Sequence, residues 1–94
     1  MSCNCSACRR FGALWIYDTA DRITIRGETL SYAWGDKYLA FHSCKNCGVT
    51  THWANLNEPD TGRMAVNLKL TDPDVVSTIP VRSFDGADSW EFLD

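Results

Sequence analysis

Five cysteines in 94 residues, spaced Cys3-x-Cys5-x-x-Cys8 and Cys44-x-x-Cys47, constrain this chain more than any other feature of its sequence. A domain this small buries only roughly 60–65% of its unfolded surface, so any staple adds directly to a modest core. Disulfides fit poorly. The count is odd, and the N-terminus shows none of the basic, apolar and small-residue sections of a secretory leader. Metal binding fits the spacing, because C-x-C and C-x-x-C gather sulfurs around one ion rather than closing long loops. In a reducing compartment, where this chain is expected to reside, the thiols stay available for it.

The two groups differ in what they can build. In Cys44-Lys-Asn-Cys47-Gly48 a tight turn brings residues i and i+3 together, and Gly48 can adopt the left-handed conformation that closes a zinc knuckle. In Cys3-Asn-Cys5-Ser-Ala-Cys8, the first two cysteines share a face if the segment is extended, while Cys5 and Cys8 repeat the i, i+3 spacing. Three protein ligands with an open fourth position characterise catalytic zinc, and four thiolates a closed structural site. Two arrangements follow. Either Cys5, Cys8, Cys44 and Cys47 form one tetrahedron with Cys3 spare, or Cys3, Cys5 and Cys8 hold an open zinc and Cys44/Cys47 are half of a second site.

Composition sets the remaining bounds. With 45% hydrophobic residues and four tryptophans the chain is expected to be one globular domain spanning 1–94. A net charge of −3 argues against a broad basic surface for nucleic acid. No apolar run approaches the ~20 residues of a membrane span. The expectation is a soluble, cytoplasmic protein with neither nucleic acid nor membrane as partner.

Alternation and turn chemistry predict a mainly β, antiparallel domain. Ala13–Tyr17 reads as a strand and Ile23–Ile25 as a second, short one. Leu30–Trp34 and Lys37–Phe41 flank Gly35-Asp36, which predicts a tight two-residue hairpin. Val49–Trp53 predicts a strand leaving the knuckle, so that Cys44 and Cys47 sit at a hairpin tip. Residues 55–62 read as an exposed loop. In Arg63–Leu70, Met64, Val66, Leu68 and Leu70 alternate onto one strand face. Thr71 reads as the cap of a single helical turn before Pro80, and 81–90 as a last strand and a turn. The tryptophans, Trp15, Trp34, Trp53 and Trp90, are expected in the core.

Four segments carry a further signal: Cys3-Asn-Cys-Ser-Ala-Cys-Arg-Arg-Phe-Gly-Ala-Leu-Trp15, Phe41-His-Ser-Cys-Lys-Asn-Cys-Gly48, Gly62-Arg-Met-Ala-Val-Asn67 and Phe84-Asp-Gly86. On these, in this order over nearly the whole chain, the sequence resembles the glutathione-dependent formaldehyde-activating enzymes and the centromere protein V-like proteins. The resemblance implies an Mss4-like fold, a small antiparallel β-sheet domain with zinc-binding cysteine loops. It implies that Cys3, Cys5 and Cys8 are the catalytic zinc ligands and that Cys44 and Cys47 are half of a structural zinc site. The family takes the other half from an N-terminal C-x-C hairpin that this sequence lacks, so a truncated or shortened form is expected. An unpaired sheet edge there would favour a homodimer.

The activity so implied is that of a carbon–sulfur lyase making or cleaving the adduct of glutathione with an aldehyde, formaldehyde in the family's case. Zinc would hold the thiol as thiolate beside the carbonyl. Arg9 and Arg10, next to Cys8, could favour thiolate and bind the carboxylates of glutathione, or be solvated surface residues. His42 and His52 flank the knuckle and could complete a coordination shell, though a strand histidine is more often packed or hydrogen-bonded. Asp85-Gly86 reads as a turn. Two other classes compete: a non-catalytic zinc-stapled β module that binds a partner, and a thiol redox protein, which the lack of a βαβ context disfavours.

Overall fold

The computed structural model describes residues 1–33 and 35–94. Its elements run β1 (Ser2–Cys3), α1 (Ser6–Phe11), β2 (Trp15–Thr19), β3 (Thr29–Tyr32), β4 (Leu39–Cys44), β5 (Thr50–Asn55), β6 (Arg63–Asn67), α2 (Pro73–Val76) and β7 (Ser83–Phe84), with 3₁₀ turns at Ala20–Arg22 and Leu68–Leu70. The protein is mainly β. Five strands form one sheet in the order β2-β6-β5-β4-β3, with β3–β4, β4–β5 and β5–β6 antiparallel. β1 and β7 form a separate parallel pair. The chain divides into two compact units, residues 17–66 and residues 1–16 with 67–94.

In the unit of residues 17–66, cross-strand pairs of unequal size fill the sheet. Phe41 pairs with Trp53 between β4 and β5, and Trp53 with Ala65 between β5 and β6. Ala65 is fully covered and Met64 nearly so, because β6 lies between two strands and both its faces are enclosed. Tyr17 meets Trp53 edge-on at 6.0 Å, and the Arg63 guanidinium lies 4.2 Å from the Tyr17 ring centre. Burying Phe41, Trp53 and Met64 contributes about 2–3 kcal/mol each. The exposed loop after β5 is organised by Asn55, itself buried: its Oδ1 accepts from the amides of Asn57 and Glu58, and its Nδ2 donates to the Tyr38 hydroxyl.

Several expectations needed correction. Residues 23–26 join no ladder. Ile23 is extended, but the edge beside β4 is taken by Thr29–Tyr32, and Ile25 is left exposed. The β3–β4 hairpin does not turn on two residues: its pairing ends at Tyr32↔Phe41, two residues out of the expected register. Such a slip keeps every side chain on its face, so alternation could not detect it. Asp36 Oδ1 accepts from the Tyr38 amide within the longer connection, and Trp34 lies outside the described residues. β6 stops at Asn67, whose side-chain oxygen accepts from the amides of Leu14 and Lys69 and turns the chain into the 3₁₀ segment. Leu70 is therefore half-exposed.

The other unit is held mainly by irregular contacts. Leu68 N donates to Leu14 O and Trp15 N to Met1 O. Asp72, not Thr71, caps α2, accepting from Asp74 N with Pro73 in the first turn, while the Thr71 hydroxyl donates to Leu68 O. The expected strand over 81–90 shrinks to the two residues of β7, followed by the turn at Asp85. Trp15 and Trp53 are core, but Trp90 is 73% exposed.

Candidate metal centre

Cys3, Cys5 and Cys8 are brought together by a strand, a helix cap and a helix in succession. Cys3 ends β1, where pairing with β7 sets it beside Phe84. Cys5 then changes the chain's course: its backbone is extended, and its sulfur caps α1 by accepting the Cys8 amide at 3.3 Å, the role an Asp or Ser oxygen commonly takes. Cys8 lies inside α1 and is buried, with its sulfur accepting the indole N–H of Trp15 at 3.3 Å. The helix closes at Gly12, whose φ of 66° lets its amide return to Cys8 O. The C-x-x-C spacing is thus met by a helix cap rather than by a loop.

The three Sγ atoms all lie within 4.8 Å of one another. Around a tetrahedral ion with metal–sulfur bonds of ~2.3 Å, sulfurs stand ~3.8 Å apart, so small side-chain rotations close the set on an ion. Burial, foremost, raises the pKa of Cys3 and pushes the Cys8 thiol well above its ordinary range. At Cys5 burial opposes ionisation, but the Cys8 amide and the two neighbouring thiols outweigh it and lower the pKa. Of the three thiols Cys5 thus gives up its proton most readily, and a cation's charge would draw protons from the other two.

The remaining sequence candidates divide as follows. Arg9 and Arg10 are exposed in the last turn of α1, and neither makes an ion pair among the described residues. Cys44 and Cys47 belong to the unit of residues 17–66, at the tip of the β4–β5 hairpin as expected. Gly48, at φ 79°, closes the knuckle by donating to Cys44 O. Amide hydrogen bonds, first that of Cys47 and then that of Asn46, hold the Cys44 thiol below its usual value. His42 and His52 are cross-strand partners with rings stacked at 4.4 Å and 10°. Each shares its Nδ1 with a threonine hydroxyl at 2.8 Å, Thr29 for His42 and Thr51 for His52, which is the packed, hydrogen-bonded role.

Sequence reasoning missed Asn4. Its side chain hydrogen-bonds Asp85 and Ala87, and no local pattern links residue 4 to a turn 81 positions away. Against known proteins, the chain finds no matching family model, curated protein or solved structure.

Proposed function

We infer that the chain binds zinc through Cys3, Cys5 and Cys8 and uses it in carbon–sulfur lyase chemistry on the adduct of a thiol with an aldehyde. The observation that carries this reading is the convergence of three sulfurs from one short segment, which leaves a fourth position for a substrate. An all-thiolate set favours a soft or borderline ion over calcium or magnesium. The four quoted segments, together with the five-stranded antiparallel sheet and the hairpin-tip cysteines, support membership of the glutathione-dependent formaldehyde-activating and centromere protein V-like family and its Mss4-like fold.

Zinc bound there supplies positive charge that stabilises the thiolate form of an incoming thiol. The chain's residues do the rest. The Cys8 amide bonds the Cys5 sulfur and favours its ionisation, and the Trp15 indole N–H fixes Cys8. Arg9 and Arg10, exposed beside Cys8, would take the carboxylates of glutathione. In adduct formation the thiol sulfur bonds to the carbonyl carbon, the C=O π pair moves to oxygen, and the thiol proton ends on that oxygen. Cleavage is the reverse. The test is to mix zinc-loaded protein with glutathione and a panel of aldehydes: adduct formation should exceed the uncatalysed rate, and a loaded preparation that never does so refutes the activity.

A second reading, a zinc-stapled module without catalysis, is favoured by the knuckle at Cys44, whose amide-lined sulfur and left-handed Gly48 suit a closed structural site. A metal count per chain separates the two, in combination with the cobalt spectrum of three-sulfur against four-sulfur coordination.

A further inference from the structure

The turn after β7 reaches back over the cysteine segment. Asn4, the residue between Cys3 and Cys5, grips it with both ends of its amide: Nδ2 donates to Asp85 Oδ1 at 3.0 Å, and Oδ1 accepts from Ala87 N at 3.0 Å. The other Asp85 oxygen accepts from the amide and hydroxyl of Ser89, and Trp90 N donates to Asp85 O. The turn is therefore closed on itself and clamped to the residue that spaces the two thiols. Inside the clamp, Gly86 lies so close that a Cβ there would overlap Cys3 Sγ and come within 3.3 Å of Cys5 Cβ. Gly86 is not among the glycines of positive φ. It is required for space, not for conformation.

What would yield to a side chain at position 86 decides the consequence. The overlapped atom is the free end of a cysteine side chain, which a χ1 rotation moves aside, while the Cys5 Cβ at 3.3 Å needs only a shift of a few tenths of an ångström. Any such rotation takes the sulfur out of the position in which it lies within 4.8 Å of the Cys5 and Cys8 sulfurs. We propose that Gly86, held in place by the Asn4–Asp85 clamp, is a positioning residue of the three-sulfur centre, keeping Cys3 Sγ in the rotamer that faces the other two thiols. The inference rests on the metal-binding reading above and adds the element that sets its geometry. Asn4 acts in the same way, through the clamp.

Cobalt(II) titration of the metal-free full chain, followed by its sulfur-to-metal absorption, tests this with Gly86→Ala and Asn4→Ala beside Cys3→Ser as reference. Gly86→Ala should weaken the Cys3-dependent site by about tenfold or more, the usual scale for loss of a group that orients a ligand. Its spectrum should approach that of Cys3→Ser, while its metal-free unfolding midpoint stays close to that of the parent. A metal-free readout runs in parallel: a trivalent arsenical that bridges neighbouring thiols, with the protected cysteines identified by peptide mapping. Cys3 should be protected in the parent and not in Gly86→Ala. Parent-like cobalt affinity and parent-like protection in Gly86→Ala would overturn the proposal, as would a metal-free variant that fails to fold. If the parent's cobalt binding is indifferent to Cys3→Ser, the metal-binding reading falls, and the arsenical comparison alone decides the positioning role.

Discussion

The indole N–H of Trp15 donates to the buried sulfur of Cys8 at 3.3 Å, tying one of the most enclosed side chains of the protein to the candidate metal centre. With a metal bound, Cys8 would be a thiolate, and a hydrogen bond to it would withdraw electron density, so this contact would set the sulfur's charge as well as its place. Trp15→Phe keeps an aromatic ring and deletes the donor. The variant should lose about 2 kcal/mol from reduced packing and the missing bond. Its cobalt form should show the sulfur-to-metal absorption at lower energy. An unshifted band would mean that the indole contributes packing alone.

Cys3→Ser and Cys47→Ser separate the two ligand arrangements. With an open centre at Cys3, Cys5 and Cys8, Cys3→Ser should lower zinc content and abolish thiol–aldehyde activity with the fold largely kept, while Cys47→Ser costs less. The single tetrahedron of Cys5, Cys8, Cys44 and Cys47 predicts the converse: Cys3→Ser silent, Cys47→Ser strongly destabilising. Zinc stoichiometry and melting temperature of both variants give the answer, and an unaltered Cys3→Ser protein refutes the open centre.

Chelation should act locally. Zinc binding by thiolates can couple on the order of 10 kcal/mol to folding in small domains. The residues it would brace are a two-residue strand and a six-residue helix, too short to persist unaided. After complete metal removal, hydrogen exchange should accelerate at Cys8–Gly12 while the β4–β5 amides keep their protection. Equal protection in both regions before and after would exclude a bracing role.

Acid should weaken the protein through His52. Burial first, and then the charge of His42, lowers its pKa from 6.5 to about 4. Below pH 6.5 the unfolded chain gains a proton that the folded chain refuses until about pH 4, so the unfolded state binds more protons and stability falls with pH. His52's contribution is complete above pH 6.5 and is withdrawn between 6.5 and 4, by up to about 3 kcal/mol. Denaturant midpoints of metal-free protein should drop over that window, and His52→Gln should flatten the slope. An equally steep slope in the variant would acquit His52.

How far the sequence announced this structure follows from where the information lies. β4, β5 and β6 were legible because each alternates or is flanked by turn formers, and the knuckle between β4 and β5 was legible from Gly48. The region around the candidate centre was not. Ser6–Phe11 has no helical periodicity and is a helix because Cys5 caps it and Gly12 ends it. β1 and β7 are two residues each, and their pairing joins opposite ends of the chain. The ligands themselves could be named from spacing, since C-x-C-x-x-C is local. The groups that hold them, Asn4, Asp85, Gly86 and Trp15, meet only through tertiary contacts, which no local pattern encodes.

The pairing of Ser2 and Cys3 with Ser83 and Phe84 also orders events during synthesis. Every strand of the five-stranded sheet lies between Trp15 and Asn67, so all its strands have been made before the last quarter of the chain exists. Cys5, Cys8 and Trp15 can meet early, across three and seven positions, whereas Cys3 and Asn4 find their partners last. Until Ser83 and Phe84 arrive, Cys3 has no neighbouring strand and Asn4 no turn to grip. Cys3 therefore stays unsheltered until that turn is made, well after Cys5 and Cys8 can have met, so the C-terminal turn is the step that completes the three-sulfur cluster.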